Sequence, residues 1–347
     1  MRVNKRIRHL RHQLARERYE MRRRSISYRK KRRKRLLRRR ASIVYDREVR
    51  REQSKKQFLN KSCPSNFSFI DNTEEVLSYL NECRDLLHKN EKVKFDIANV
   101  ENISSDAIAL LVACTNSDDY KGKYGKIQGN GPRSPHLAKL FRESGFYNFV
   151  NSSKELKSAK KGNLLHKESH YRVRADIAKE ACLYGIRNVF GNEVPVPSLY
   201  EMLVEAMSNT NNHASKSSKD RIKWWLYTYY NKNDNITSYT FIDLGVGIFE
   251  SIPVQRYKKV IRSIGLIHNA DLVYDLLNGK IKSSQSVDNA MRGKGIPQIA
   301  ANSQESIFRR AFIISNNVKI DLKDQSTIKL NSTFNGTLLY WELSKTA

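Results

Sequence analysis

The first 60 residues cannot supply a hydrophobic core, and this divides the chain before any motif is read. They hold 25 Lys/Arg against 5 Asp/Glu, with the densest run, RKKRRKRLLRRR, between Arg29 and Arg40. Their apolar residues, Leu10, Leu14, Met21, Leu36 and Leu37 among them, are too sparse to bury one another. Arg, Leu, Lys and Ala favour helix, whereas like charges three and four apart oppose it. The expectation for residues 1–58 is therefore a nascent helix that completes on a polyanion. DNA or RNA fits best, because basic runs mark such partners. An anionic membrane surface and a solvated tail are the alternatives. The whole chain carries +29. The arm supplies most of it, so the remaining residues form a body that is only mildly basic.

That body is long enough for about two domains. It has no apolar run of membrane-spanning length, and the N-terminus lacks the apolar core of a signal peptide. Cys63, Cys83, Cys114 and Cys182 are widely spaced and form no C-x-x-C pair, which argues against a zinc site or a disulfide framework. Reduced thiols and a cytoplasmic location are expected.

Residues 64–151 alternate between strand and helix signals, the pattern of a layered α/β domain. FSFI (Phe67 to Ile70) reads as a strand. Thr73 to Lys89 reads as a helix, with Val76, Leu77, Leu80, Cys83 and Leu87 at helical spacing and Asn72 or Thr73 as its cap. Strands are expected over Lys92 to Val100 and in YGKIQG. Ser105 to Cys114 predicts a helix that is apolar on nearly every side, and Ser134 to Gly145 an amphipathic one ended by glycine. The Ser/Lys-rich residues 152–163 read as a linker. Residues 164–347 begin with two helices, Asp176 to Phe190 and Ser198 to Ala214. Five strands follow: IKWWLYTYY, SYTFID, RAFIIS, VKIDLK and GTLLYWEL. The expectation is an α/β sandwich with a mixed, largely antiparallel sheet.

Four segments of this last region could carry chemistry. In SLYEMLVEAMSNTNNHA, Ser198 and Glu201 suggest a capping box. Glu205, Asn209 and His213 recur every fourth residue along one edge of the helix. A carboxylate, an amide and an imidazole so placed can offer a general base and a ligand for Mg²⁺ beside a phosphate chain; a solvated polar face is the plainer alternative. In FIDLGVGIFESIP, Asp243 ends a strand, and Gly245 and Gly247 allow close approach of backbone to a ligand; an ordinary turn is again the alternative. In MRGKGIPQIA, Gly293 and Gly295 precede a helix with Pro297 in its first turn. Amides at such a start bind phosphate, and Lys294 adds charge. In FNGTLLYWEL, Gly336 and Thr337 open the final strand.

The four segments in this order resemble the boxes of the GHKL ATPase superfamily, which includes histidine kinases, anti-sigma-factor kinases and gyrase. The match comprises an E-x-x-x-N-x-x-x-H-A box, a D-x-G-x-G box, a second glycine box and a terminal G-T box. The resemblance covers residues 164–347 and implies a Bergerat-type fold binding ATP with Mg²⁺. On it, Asn209 holds Mg²⁺, Asp243 meets adenine, Gly293, Lys294 and Gly295 meet the phosphates, Thr337 lies near the adenine subsite and Glu205 is the general base. GKGIP lacks the fuller glycine run of histidine kinases. Glu250 to Arg292 should form the lid. Residues 64–151 resemble a STAS domain. VKFDIANVENISSDAIALLVAC looks like the segment that carries a phosphorylatable serine there, with Asp106 in the serine's place, or Ser105 on a shift of one residue. Asp106 could instead cap its helix, where negative charge is favourable.

Three functions follow from these expectations. One is an ATP-dependent switch or ATPase, with a STAS-like regulatory module and a nucleic-acid-binding arm. Another is a serine/threonine kinase of the anti-sigma type, acting on another chain or on its own Ser105. The last is a nucleic-acid-binding adaptor in which ATP is structural. A protein partner for the STAS-like module and a homodimer belong to the same set of expectations. His166 and His170, in LLHKESHY, lack the coiled-coil heptads that a histidine-kinase phosphoacceptor helix would need.

Overall fold

A computed structural model describes residues 2–121, 125–157, 164–169, 173–192, 194–213, 222–251, 268–281 and 295–345. It divides the chain into two compact units, residues 1–57 and 58–347. The first unit is one helix, α1 (Arg2–Lys55), of 54 residues. Where the sequence suggests only a nascent helix, the structure is continuously helical. The basic residues from Lys31 to Arg39 all lie exposed. Among the described residues no helix is long and apolar enough to cross a membrane.

The second unit is a mixed α/β body. Its elements run β1 (Phe58–Ser62), β2 (Asn66–Phe67), α2 (Thr73–His88), β3 (Lys92–Asp96), β4 (Asn102–Ile103), α3 (Ser105–Asn116), α4 (Asp118–Lys121), β5 (Lys126–Gly129) and α5 (Pro135–Glu143). They continue as β6 (Leu164–Ser169), α6 (Ala175–Phe190), α7 (Pro197–His213), β7 (Lys223–Asn231), β8 (Ile236–Asp243), α8 (Ile248–Ser251), α9 (Val273–Leu277), α10 (Gly295–Asn302), β9 (Phe308–Asp321) and β10 (Thr327–Leu343). A three-stranded parallel sheet has the order β1-β3-β5, and a five-stranded antiparallel sheet the order β6-β7-β8-β10-β9. The short β2 and β4 pair separately.

The period of two along the five-stranded sheet sorts its side chains into two cores. Trp224, Leu226, Tyr239 and Phe241 pack with α6 and α7. Trp225, Tyr227 and Ile242 pack with α2 and α3 on the opposite face. The second helix layer therefore lies between the two sheets: α2 touches β3 and β10, and α3 touches β7 and β8. This explains the sequence of α3. Every residue from Ser105 to Cys114 is buried, and a helix covered on all sides is apolar on all sides. Polar ties fasten the layers. Glu74 accepts the backbone N–H groups of Asn331 (3.1 Å) and Ser332 (3.0 Å). Arg310 pairs with Asp71 at 2.6 Å, and the Lys319 ammonium donates to the Ile70 carbonyl. Residues 64–151 and 164–347 thus share one of the two cores within a single compact unit, and residues 158–163 of the expected linker lie outside the described residues.

Several elements differ from the sequence expectation. FSFI is strand only at Phe67 and then turns towards α2. The first strand of the parallel sheet is instead β1, whose mostly exposed FLNKS lacks the alternation that marks a half-buried strand. The edge strand β6 is also absent from the sequence reading. His166 lies on it, and His170 is outside the described residues. RAFIIS and VKIDLK form one strand, β9, kinked at Asn316 (φ +54°). The alternation along the strand switches there: Ala311 and Ile313 before it, and Val318 and Ile320 after it, belong to the core that holds α6 and α7. Gly336 and Thr337 lie inside β10 rather than at its start. No capping box forms on α7. Its first helical residue is Pro197, the Ser198 hydroxyl donates to Glu305, and Glu201 accepts from Asn302 at 3.0 Å.

Candidate functional site

The candidate site lies between α7, α10, the end of β8 and the middle of β10. Helix α7 is held on the sheet by Leu199, Met202, Leu203, Ala206 and Met207, all buried. That stripe fixes the edge carrying Glu205 and Asn209. Glu201, one turn earlier, accepts hydrogen bonds from Gln298 and Asn302 and so binds α7 to α10. The result brings the backbone of Gly295, the first residue of α10, against both site side chains. A Cβ at Gly295 would lie 2.8 Å from Asn209 Oδ1 and 2.9 Å from Glu205 Oε2. The Asn209 amide nitrogen is buried with no hydrogen-bond partner among the described residues. Burial raises the pKa of the half-buried Glu205 carboxyl, and the charge of Glu201 adds to the rise.

Asp243 ends β8 and is buried at the wall of a cavity lined by Ala206, Asn209, Phe241, Gly247, Ile248, Ser251, Ile296, Thr337 and Leu339. Its carboxylate accepts from the Thr210 hydroxyl (3.2 Å) and from the Gly245 N–H (3.0 Å). Burial pushes its pKa up to about 6, against the opposing pull of these two hydrogen bonds. The pairing of β8 with β10 sets Thr337 directly beside Asp243. The preceding residue must be glycine: Gly336 has φ +146°, and a Cβ there would collide with the Asp243 carbonyl oxygen. Gly247 has φ +81°, with its Cα hydrogen turned towards Asn316.

The structure thus brings together Glu205, Asn209, Asp243, Gly245, Gly247, Gly295, Gly336 and Thr337. Gly293 and Lys294 lie outside the described residues, as do residues 252–267 and 282–292 of the expected lid. His213 is the last residue of α7, and its side chain is outside the description. The sequence expectation does not include the Thr210 hydroxyl's hold on Asp243. It also passed over Ser315 and Asn316. Their only signal was a polar S-N-N run between two apolar strand segments.

Ser105 and Asp106 belong elsewhere. Asp106 does not cap α3 through its side chain. Its buried carboxylate crosses to the Phe69 and Ile70 N–H groups at 2.7 and 3.0 Å, and burial raises its pKa. The Ser105 hydroxyl lies 2.8 Å from that of Ser238. Ser238 lies on β8 five positions before Asp243, so the two point to opposite faces of the sheet. Comparison of the chain with protein-family models and with curated proteins finds no match.

Proposed function

We propose that the body binds ATP with Mg²⁺ in the cavity between α7, α10 and β8, in the manner of a Bergerat-type domain backed by a STAS-like layer. The observation that carries the reading is the buried Asp243 carboxylate. It ends a central strand, has Thr337 beside it, and opens onto a cavity whose next wall is Asn209. With a pKa near 6 it is mainly ionised at neutral pH, so it can accept hydrogen bonds from an exocyclic amine. The unpartnered Asn209 amide and the bare backbone of Gly295 suit a metal–phosphate group. Asn209 would hold Mg²⁺ through its side-chain oxygen, and the ion would neutralise phosphate charge. Glu205 stands beside both, and its raised pKa suits a base that takes a proton from water. An ATP-dependent switch or ATPase is the function favoured. A kinase would need an acceptor in another chain, because the five-stranded sheet separates the chain's own Ser105 from Asp243.

The arm is assigned to DNA or RNA on the same footing. Its exposed apolar residues, such as Tyr28, Leu36 and Leu37, fall on different sides of a helix that turns about 100° per residue. An interfacial membrane helix needs one apolar face, whereas a polyanion needs only the exposed cations. The test of the ATP reading is calorimetric titration with ATP–Mg²⁺, followed by assays of phosphate release and radiolabel transfer. Binding with phosphate release supports the ATPase. Protein labelling would move the assignment to kinase, and no binding at millimolar ATP would end the reading.

A further inference from the structure

Asn316 lies in the middle of β9 with left-handed backbone (φ +54°) and is 4% exposed. A buried amide in the middle of a strand must have its polar atoms satisfied, and here both Oδ1 and Nδ2 reach the segment after Asp243. Asn316 Oδ1 accepts the Phe249 N–H at 3.0 Å, and Nδ2 donates to the Val246 carbonyl at 2.9 Å. The neighbouring Ser315 hydroxyl accepts the Ile248 N–H at 2.8 Å and donates to the Gly336 carbonyl at 2.8 Å. Two adjacent side chains thus hold three backbone groups between Val246 and Phe249, two of them the first amides of α8, together with the glycine that abuts Asp243. Gly247 fits beneath this clamp because a Cβ there would lie 2.5 Å from Asn316 Oδ1.

We infer that Ser315 and Asn316 are the positioning residues of the nucleotide cavity: the turn of β9 at Asn316 sets where Gly247 and Ile248 stand against the bound base and sugar. The inference takes its ligand from the ATP reading above, but the clamp itself can be tested without nucleotide. Asn316→Gly removes the side chain and keeps the left-handed backbone free of strain. Asn235→Gly is the control. It replaces an asparagine of the same backbone class (φ +53°) in the β7–β8 turn.

Hydrogen exchange at Ile248 and Phe249 is measured in the full-length protein without nucleotide, and ATP–Mg²⁺ affinity by titration. The expected result is faster exchange at Phe249 in Asn316→Gly and affinity lower by about tenfold, the equivalent of one lost hydrogen bond, with neither change in Asn235→Gly. Wild-type exchange at Phe249 together with wild-type affinity in Asn316→Gly would overturn the inference. Should that variant not fold, Ser315→Ala must speed exchange at Ile248, and unchanged exchange there overturns the inference equally. If wild-type protein binds no ATP, the functional reading fails, while the exchange data still decide whether the clamp orders the loop.

Discussion

Asp243→Asn separates what the site costs the fold from what it gives the ligand. Burial holds the carboxyl at about 6 against an ordinary 3.8. The folded state therefore binds a proton more tightly than the unfolded chain between those values. Stability from this group is greatest below pH 4 and falls as pH rises to about 6, above which the penalty is complete. At 1.36 kcal/mol per unit the penalty is about 3 kcal/mol at neutral pH. Asparagine cannot ionise, so it escapes the penalty. It gives up one of the two hydrogen bonds from Thr210 and Gly245, about 1 kcal/mol at any pH. The difference in unfolding free energy, variant minus wild type, should grow by about 2.4 kcal/mol between pH 4 and pH 7. Denaturant melts of both proteins across that range measure it. ATP–Mg²⁺ at a hundredfold excess over Kd should stabilise wild type by about 2.7 kcal/mol and the variant by nothing. A pH-independent difference would show that Asp243 is not a buried, destabilised carboxylate. An equal ATP effect in both proteins would show that it does not contact the ligand.

Other outcomes follow from neighbouring features. Glu205→Ala should retain ATP binding and lose roughly 10²–10⁴-fold in turnover, while Asn209→Ala should weaken binding chiefly when Mg²⁺ is present; paired titration and phosphate-release assays distinguish them. Gly336→Ala forces a Cβ onto the Asp243 carbonyl at φ +146° and should destabilise the body by more than about 1 kcal/mol, read from the melting midpoint. Deleting residues 1–57 should leave ATP affinity unchanged and abolish nucleic-acid binding. In the intact protein log affinity for duplex DNA should fall with log salt by about 0.9 per phosphate contact, and binding to anionic vesicles alone would replace the assignment.

Most residues that the fold brings around the cavity can be picked out in the sequence because each lies in a local pattern: a polar edge at helical spacing, or glycines after a strand. The sequence also made the helices legible wherever apolar spacing was strong, as in α2, α6 and α7. It failed where context outweighs pattern. The edge strand β1 has no buried face to impose alternation, so the sequence expectation ends the arm at Phe58 and assigns residues 59–62 to no element. Ser198 and Glu201 looked like a capping box, but a helix starting at Pro197 and packed on α10 gives both side chains other partners. Asp106 looked like a cap because a sequence cannot show that Phe69 and Ile70, far away along the chain, present their N–H groups to it. The long-range grip of Asn316 on Phe249 was invisible for the same reason.

The placement of α3 has a consequence for how the body can be divided. A helix with no solvent face has nowhere to expose its surface if either sheet is taken away. Expressed alone, residues 58–157 would present the apolar sides of Ala109, Val112 and their neighbours to water. Residues 164–347 alone would present Trp225, Ile242 and Tyr340, and each fragment would tend to self-associate. The two halves therefore form one cooperative block, and cleavage between residues 157 and 164 should yield a nicked complex rather than two independent modules.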